Sequence, residues 1–309
     1  MLRLSIILSA SLIGNALAEP VITQFAQGKP CAFSLEYDDS MTSQVQNLIP
    51  LLQQYRFHAT FFINPGRPQY QAARDVWEKQ VPRAGHELAN HTMHHADTIG
   101  ADQASTEIGS VAKIIERIVG HPILTPFGTP GGVKWEVSES DLGRILKENN
   151  LFLPGRQDFY EDGQGDITRF PRMALETKSW RRLGFHGVGG EWLSTSVDNM
   201  SILFKFLDSN KERMWIAPTG TVWKYARERE ALVKIDVKPD GTIVPVFNRA
   251  DLVPFHLYTV PLTMQVQTPP MWRKVTVTVD GKKIPVVLKG HTAQFEFLPQ
   301  TKSIVVRKG

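Results

Sequence analysis

The sequence predicts an α/β protein: a mainly parallel sheet with helices packed outside it, followed by a small antiparallel β-domain. Two observations carry this. Across residues 31–230, short apolar runs alternate with segments whose apolar residues fall at helical spacing, the pattern of strands joined through helices. After Glu230 the texture changes to strand-like runs punctuated by Asp-Gly pairs, with no competing helical pattern.

Residues 31–37, CAFSLEY, read as the first strand. Residues 43–55 follow as a helix, with Val45, Leu48, Ile49 and Leu52 on one face. Residues 58–64 form a second strand, ended by Pro65-Gly66, and 69–81 a second helix. A short strand is expected over 86–91. A helix over 104–120 stops at Gly120 with His121-Pro122 beyond it, and another spans 138–150 behind a Ser cap. Residues 180–188, 197–210, 213–218 and 221–230 continue as strand, helix, strand, helix. Residues 232–248 read as a hairpin around Asp240-Gly241 and 274–288 as another around Asp280-Gly281, with two more strands at 293–299 and 303–308. The expected organisation is a leader over 1–18, a main domain over 19–230 and a sandwich-like β-domain over 231–309.

The leader is read from Arg3, the apolar stretch behind it and the small-x-small site Ala16-Leu17-Ala18, the pattern of an export signal. The stretch is short and broken by Ser9, Ser11, Gly14 and Asn15, whereas a spanning helix needs about 20 mostly apolar residues. An exported, periplasmic or secreted, chain without a lasting membrane anchor is therefore expected. The formal net charge of +4 is too mild and too diffuse to imply a nucleic-acid partner. Cys31 is the only cysteine, which excludes an intrachain disulfide and a multi-thiolate metal site; within an apolar run it reads as a buried structural residue.

Asp38 and Asp39 lie side by side where the first strand gives way to a loop. On a strand, neighbours point to opposite faces, so two adjacent carboxylates can hold different jobs, one binding a cation and one handling protons. The bland alternative is a solvated turn or a helix cap. Residues 85–95, GHELANHTMHH, offer partners. His91 and His95 are four apart and would share one face of a helical turn; His94 could pair with His91 at a spacing of three instead. Carboxylate oxygen with imidazole nitrogen suits zinc and neighbouring transition metals. Both segments follow expected strands, so in a parallel barrel they fall together at its carboxyl end, where active sites collect.

These residues resemble the polysaccharide deacetylase family, also called the NodB homology domain or carbohydrate esterase family 4, over residues 30–230. Glu36-Tyr37-Asp38-Asp39-Ser40 stands at its first motif and His91-Thr92-Met93-His94-His95 at its second, with ATFFIN between them. The resemblance implies a deformed (β/α) barrel, with the β-domain outside it. It implies Asp38 as general base and Asp39, His91 and His95 as ligands of a divalent metal, zinc first, with cobalt, nickel or manganese as alternatives. It implies His186, in RRLGFHGVGGEW, as general acid. The residue two before that histidine is Gly184 where the family often has Leu. In FGTPGG (127–132), Pro130 and Gly132 align with the third motif, but Gly128 stands where an arginine is expected. Arg169 and Arg172 are candidate substitutes to orient Asp38. The family's fourth motif has no evident counterpart.

The implied reaction is hydrolysis of N-acetyl groups on amino-sugar residues of a polysaccharide or oligosaccharide of the chitin or peptidoglycan type. The alternatives are an acetyl esterase on xylan or another O-acetylated glycan, and an inactive glycan-binding protein on the same scaffold. Pro130 and Gly131 are expected to contact substrate, with a backbone N–H of their loop facing the oxyanion. Trp192, beside the glycine loop, is the candidate sugar platform; Trp215 and Trp223 follow strand and helix patterns and read as packing.

Overall fold

The computed structural model describes residues 19–309; the expected leader, residues 1–18, lies outside the described residues. The fold is a deformed (β/α) barrel with an all-β C-terminal region. Its central strand, Cys31–Asp38, is buried along its whole length. Such a strand reads as a continuous apolar run because both of its faces are covered. It pairs in parallel with Thr60–Ile63 through Glu36 to Asp38, with Trp180–Phe185 through Ala32 to Tyr37, and with Met214–Ile216 through Cys31 to Phe33. Trp180–Phe185 occupies one edge throughout, so Met214–Ile216 and Thr60–Ile63 share the other edge end to end.

Glu87–Asn90 adds to Thr60–Ile63, and Asp158–Phe159 adds to the far side of Trp180–Phe185. A parallel bridge from Asn90 to Phe127 continues to Thr125–Pro126, which pairs with Leu151–Phe152. The last strands on the two flanks are not paired to one another among the described residues, which leaves the barrel open on that side.

The helices follow their apolar faces. Gly100–Val119 buries Ala104, Ile108, Val111, Ala112 and Ile115 and ends at Gly120, whose φ of 87° provides the left-handed cap. Glu139–Glu148 and Val197–Asn210 start at Ser138 and Ser196, whose side chains accept the N–H of Asp141 and Asn199. Two expected helices are less regular. Residues 43–55 divide into a π-turn over Gln44–Leu48 and an α-helix over Ile49–Tyr55; residues 69–81 break into Pro68–Ala72, a π-turn over Val76–Gln80 and Val81–Arg83. Pro50 and Pro82 supply the reason. Neither has an N–H to continue the ladder, and each is preceded by a turn wound one residue wider. A helix over Arg169–Thr177 was not expected at all.

The C-terminal region forms two antiparallel sheets. One is ordered Val21–Ile22, Leu262–Gln267, Thr292–Phe297, Val287–Lys289; the other Leu232–Val237, Thr242–Phe247, Ile304–Lys308, Val275–Val279, Lys282–Ile284. Met264, Phe295, Val277 and Ile304, from both sheets, share one core, as in a sandwich. Val287–Lys289 belongs to the opposite sheet from the hairpin before it, so the expected 274–288 hairpin is shorter than its apolar run. Its turn, Asp280-Gly281, has φ of 47° and 81°. Tyr225, on the Thr219–Glu230 helix, enters the same core and ties the sandwich to the barrel. No described helix is long and apolar enough to cross a membrane.

Candidate active site

Asp38 closes the central strand, and the chain then turns sharply: Asp39 and Ser40 have φ of 75° and 52°. The turn is pinned from several sides. The Asp39 N–H donates to the Phe62 carbonyl at 3.1 Å, Asn64 N–H donates to Ser40 Oγ at 3.1 Å, and the Gln69 amide donates to the Asp39 carbonyl at 3.3 Å. Gln44 sits below. Its buried amide donates to the Asp38 carbonyl at 2.6 Å and to the His186 carbonyl at 2.9 Å, locking together the ends of two adjacent parallel strands. Nothing in the sequence distinguished Gln44 from any other polar residue of its helix.

His91 and His95 arrive by a route the sequence did not suggest. Residues 91–96 form a loop rather than a helical turn, with Thr92 and His95 at φ of 67° and 52°. Asn64 donates to the carbonyls of His91 and Thr92, Asn90 Oδ1 accepts the Thr92 N–H, and Thr92 Oγ1 accepts the His95 N–H. The spacing of four brings the imidazoles together because the loop doubles back. His94 turns away to Glu107, Nδ1 to Oε1 at 2.7 Å.

The donor atoms of Asp39, His91 and His95 lie within 4.8 Å of one another. His91 Nε2 is 3.7 Å and His95 Nε2 3.4 Å from Asp39 Oδ1, with the Arg67 guanidinium 3.6 Å away. Both Asp39 carboxylate oxygens are buried and have no hydrogen-bond partner. A buried carboxylate left in that state is costly unless a cation completes it. His91 Nδ1 meets the Gly128 carbonyl at 2.9 Å, which fixes the ring so that Nε2 faces Asp39. Burial, against the attraction of Asp39, holds His91 down to about 4, so it is neutral and able to ligate at ordinary pH. The donor set therefore fits a divalent transition metal.

A cavity of about 520 Å³ opens over these groups, with Asp38, His91, His95, Arg182, His186 and Trp192 in its wall. Burial, reinforced by the charges of Asp39 and Glu36, pushes the Asp38 carboxyl well above the usual carboxylate range; Arg182 opposes the shift. A cation at Asp39 would oppose it further. His186 lies between Phe159, 5.5 Å away and nearly parallel, and Trp192 at 4.7 Å. Its burial lowers the imidazole from its ordinary value. Trp192 is 50 % exposed at the rim. Gly131 lines the cavity, whereas Pro130 does not. The other tryptophans pack internally: Trp180 Nε1 donates to Ser34 Oγ, Trp215 meets Tyr225, and Trp223 stacks on Phe152 at 3.7 Å.

Arg169 and Arg172 do not reach Asp38. On the unforeseen helix they turn outward, Arg169 to the Gln164 carbonyl and Arg172 to Asp166. The arginine in the cavity is Arg182, and it too is engaged elsewhere. Nε and Nη2 donate to Glu36 at 2.7 and 3.0 Å, and Nη1 donates to the Gly155 carbonyl at 2.6 Å. An arginine at position 128 would force Phe62 and His91 to shift. A Cβ there would lie 2.9 Å from Phe62 Cδ1 and 3.1 Å from His91 Nδ1. A Cβ at Gly184 would collide with the Gln157 amide and lie 2.7 Å from the Phe159 ring, so these two residues fill the space a leucine would take. Cys31 is buried away from the cavity, its thiol raised to about 11 by burial.

A parallel barrel carrying two carboxylates, two converging imidazoles and a third histidine at its carboxyl end is the frame of a hydrolase-type site. Residues 27–144 match the family model described as polysaccharide deacetylase, a stretch that holds Asp38, Asp39, His91 and His95. Among curated proteins, the chain is similar to a gellan lyase of a Bacillus species, 23% identical over 311 residues, covering 86% of this chain and 12% of that protein. It is also similar to a peptidoglycan-N-acetylglucosamine deacetylase of Bacillus cereus, 37% identical over 97 residues, covering 31% of this chain and 42% of that one. The chain thus spans under half the length of either relative. Among solved structures, the peptidoglycan deacetylase PdaC of Bacillus subtilis aligns with a TM-score of 0.48 at 18% identity, covering 65% of this chain and 94% of that one. The polysaccharide deacetylase Bc1974 of Bacillus cereus aligns with a TM-score of 0.44 at 17% identity, covering 61% of this chain and 91% of that one.

Proposed function

We propose that this chain is a metal-dependent hydrolase that removes N-acetyl groups from amino-sugar residues of a glycan. One observation carries the reading. Asp39, His91 and His95 converge around buried carboxylate oxygens that have no hydrogen-bond partner, and Asp38 stands beside them in a cavity wall shared with His186. The peptidoglycan-N-acetylglucosamine deacetylase among the relatives supports the choice of an N-acetylated sugar.

Asp39, His91 and His95 would hold the cation, zinc by the mixed carboxylate and imidazole donor set. Once bound, such an ion supplies Lewis-acid activation of water and of the acyl carbonyl. Asp38 accepts the proton of the attacking water. The backbone N–H of Gly131, in the loop that lines the cavity, stabilises the developing oxyanion. His186, held between Phe159 and Trp192, donates a proton to the leaving amine nitrogen. Trp192 offers its exposed face to a sugar ring. The leader over 1–18 would direct export, the barrel within 19–230 would carry the reaction, and the region over 231–309, joined by the edge strand Val21–Ile22, would form the β-domain.

The test is acetate release from N-acetylglucosamine oligomers by purified protein, run beside acetylated xylan. Release from the oligomers that a chelator abolishes and added zinc restores supports the reading. Release from xylan alone would replace it with the esterase, and binding of glycan with no release from either would leave a glycan-binding scaffold.

A further inference from the structure

A second groove, of about 360 Å³, lies on the flank of the barrel next to the cavity. Leu153 lies in the walls of both, so the two spaces adjoin. One side of the groove is the end of the Glu139–Glu148 helix and the Leu151–Phe152 strand; the other is Val253, Pro254 and Tyr258, from the chain beyond the barrel. Its floor is the edge of Trp223, stacked on Phe152. Two apolar side chains along it face water, Leu153 at 50 % and Val253 at 62 % exposure, while Lys147 and Asn150 stand at its polar margin.

We propose that this groove is a distal binding site for the glycan chain whose reacting sugar occupies the cavity; the inference rests on the glycan hydrolase reading above. An apolar floor with polar groups at its margin suits sugar rings, which present C–H faces flanked by hydroxyls. Because Leu153 borders both spaces, a polymer lying across it would reach from one into the other. A second protein copy fits poorly, because a stable interface needs on the order of 1,000 Å² of complementary surface and this is a narrow furrow. Binding energy gathered far from the reacting bond can be used to orient that bond, so long substrates should be turned over more efficiently than short ones.

Val253→Glu places a charge in the groove at an exposed position, and Val233→Glu, at an equally exposed valine on the sandwich, is the control. In the zinc-loaded protein, the ratio of kcat/KM on a long N-acetylglucosamine oligomer to that on a short one should fall about tenfold in Val253→Glu, equivalent to about 1.4 kcal/mol. Val233→Glu should keep the wild-type ratio. A second readout needs no turnover: soluble chitin polymer in a native gel should retard the wild type and the control more than Val253→Glu. If wild type releases no acetate but the gel difference holds, the groove stands and the hydrolase reading falls. Equal retardation of all three proteins overturns the groove, as does a Val253→Glu variant that keeps the length ratio. A drop in sedimentation mass on Val253→Glu would make it a protein interface and also overturn the proposal.

Discussion

The mouth of the barrel and the core of the sandwich are built on opposite terms. The sandwich core is built from apolar side chains, with Met264, Phe295, Val277 and Ile304 meeting between two antiparallel sheets. The mouth concentrates what a stable core avoids. Of the eleven described non-glycine residues with positive φ, six are there: Asp39, Ser40, Thr92, His95, Glu191 and Leu193. The buried Asp39 carboxylate, without a hydrogen-bond partner, is there as well. Strained backbone and buried carboxylate oxygens without hydrogen bonds persist only where the surrounding structure enforces them, and they collect at sites that bind or react. The sandwich is built for packing; the barrel mouth gathers buried polar groups and left-handed backbone at a cost in stability.

That contrast can be broken by substitution. Asp38→Asn should lower turnover by about 10²–10⁴-fold, the usual worth of a positioned general base, with little change in thermal midpoint. Comparable loss of fold and activity would show that Asp38 is a structural residue. In the sandwich, Phe295→Ala should cost about 3–5 kcal/mol of stability, while the metal content of the protein that remains folded is unchanged; chemical denaturation and elemental analysis report the two separately. Gly128→Ala should act at the mouth without removing a polar group. Its methyl would press on Phe62 and His91, so zinc affinity should fall by at least about tenfold, equivalent to 1.4 kcal/mol, and unaltered affinity would mean that the loop simply moves aside.

A smaller effect concerns pH. His86 is buried beside the second strand, its Nδ1 accepting the Ala59 N–H at 3.2 Å, and burial, helped by the nearby His58, holds it down to about 4 against an ordinary value of 6.5. Between those values the unfolded chain takes up a proton that the folded chain refuses. The contribution is therefore fully present above pH 6.5 and is lost as pH falls towards about 4, with a slope of at most about 1.4 kcal/mol per pH unit. Denaturant midpoints of a His86→Gln variant should show a flatter dependence over that window, and an unchanged slope would place the acid sensitivity elsewhere.

The same contrast governs what could be read from residues alone. The alternation of strands and helices was legible because each element buries one apolar face, and the Asp-Gly turns were legible because their conformation demands those residues. That Asp39, His91 and His95 belong together was legible through residue type and spacing. The way they converge was not, since a helical turn and a doubled-back loop both satisfy a spacing of four. Arg169 and Arg172 were misplaced because the helix carrying them was missed, although Ile167, Phe170 and Ala174 bury one side of it at helical spacing. Gln44, Asn64 and Arg182 act through partners on distant strands, and no local pattern announces such a partner. Gly128 and Gly184 looked like losses from a motif; the structure shows crowded positions where any side chain would force its neighbours to shift.

Metal stoichiometry tests the division of labour between the two neighbouring aspartates most directly. Purified chain, stripped and then equilibrated with zinc, should retain about one equivalent in the wild type and in Asp38→Asn, and almost none in Asp39→Ala. Equal zinc in the two variants, whether both retained or both lost, would contradict the account.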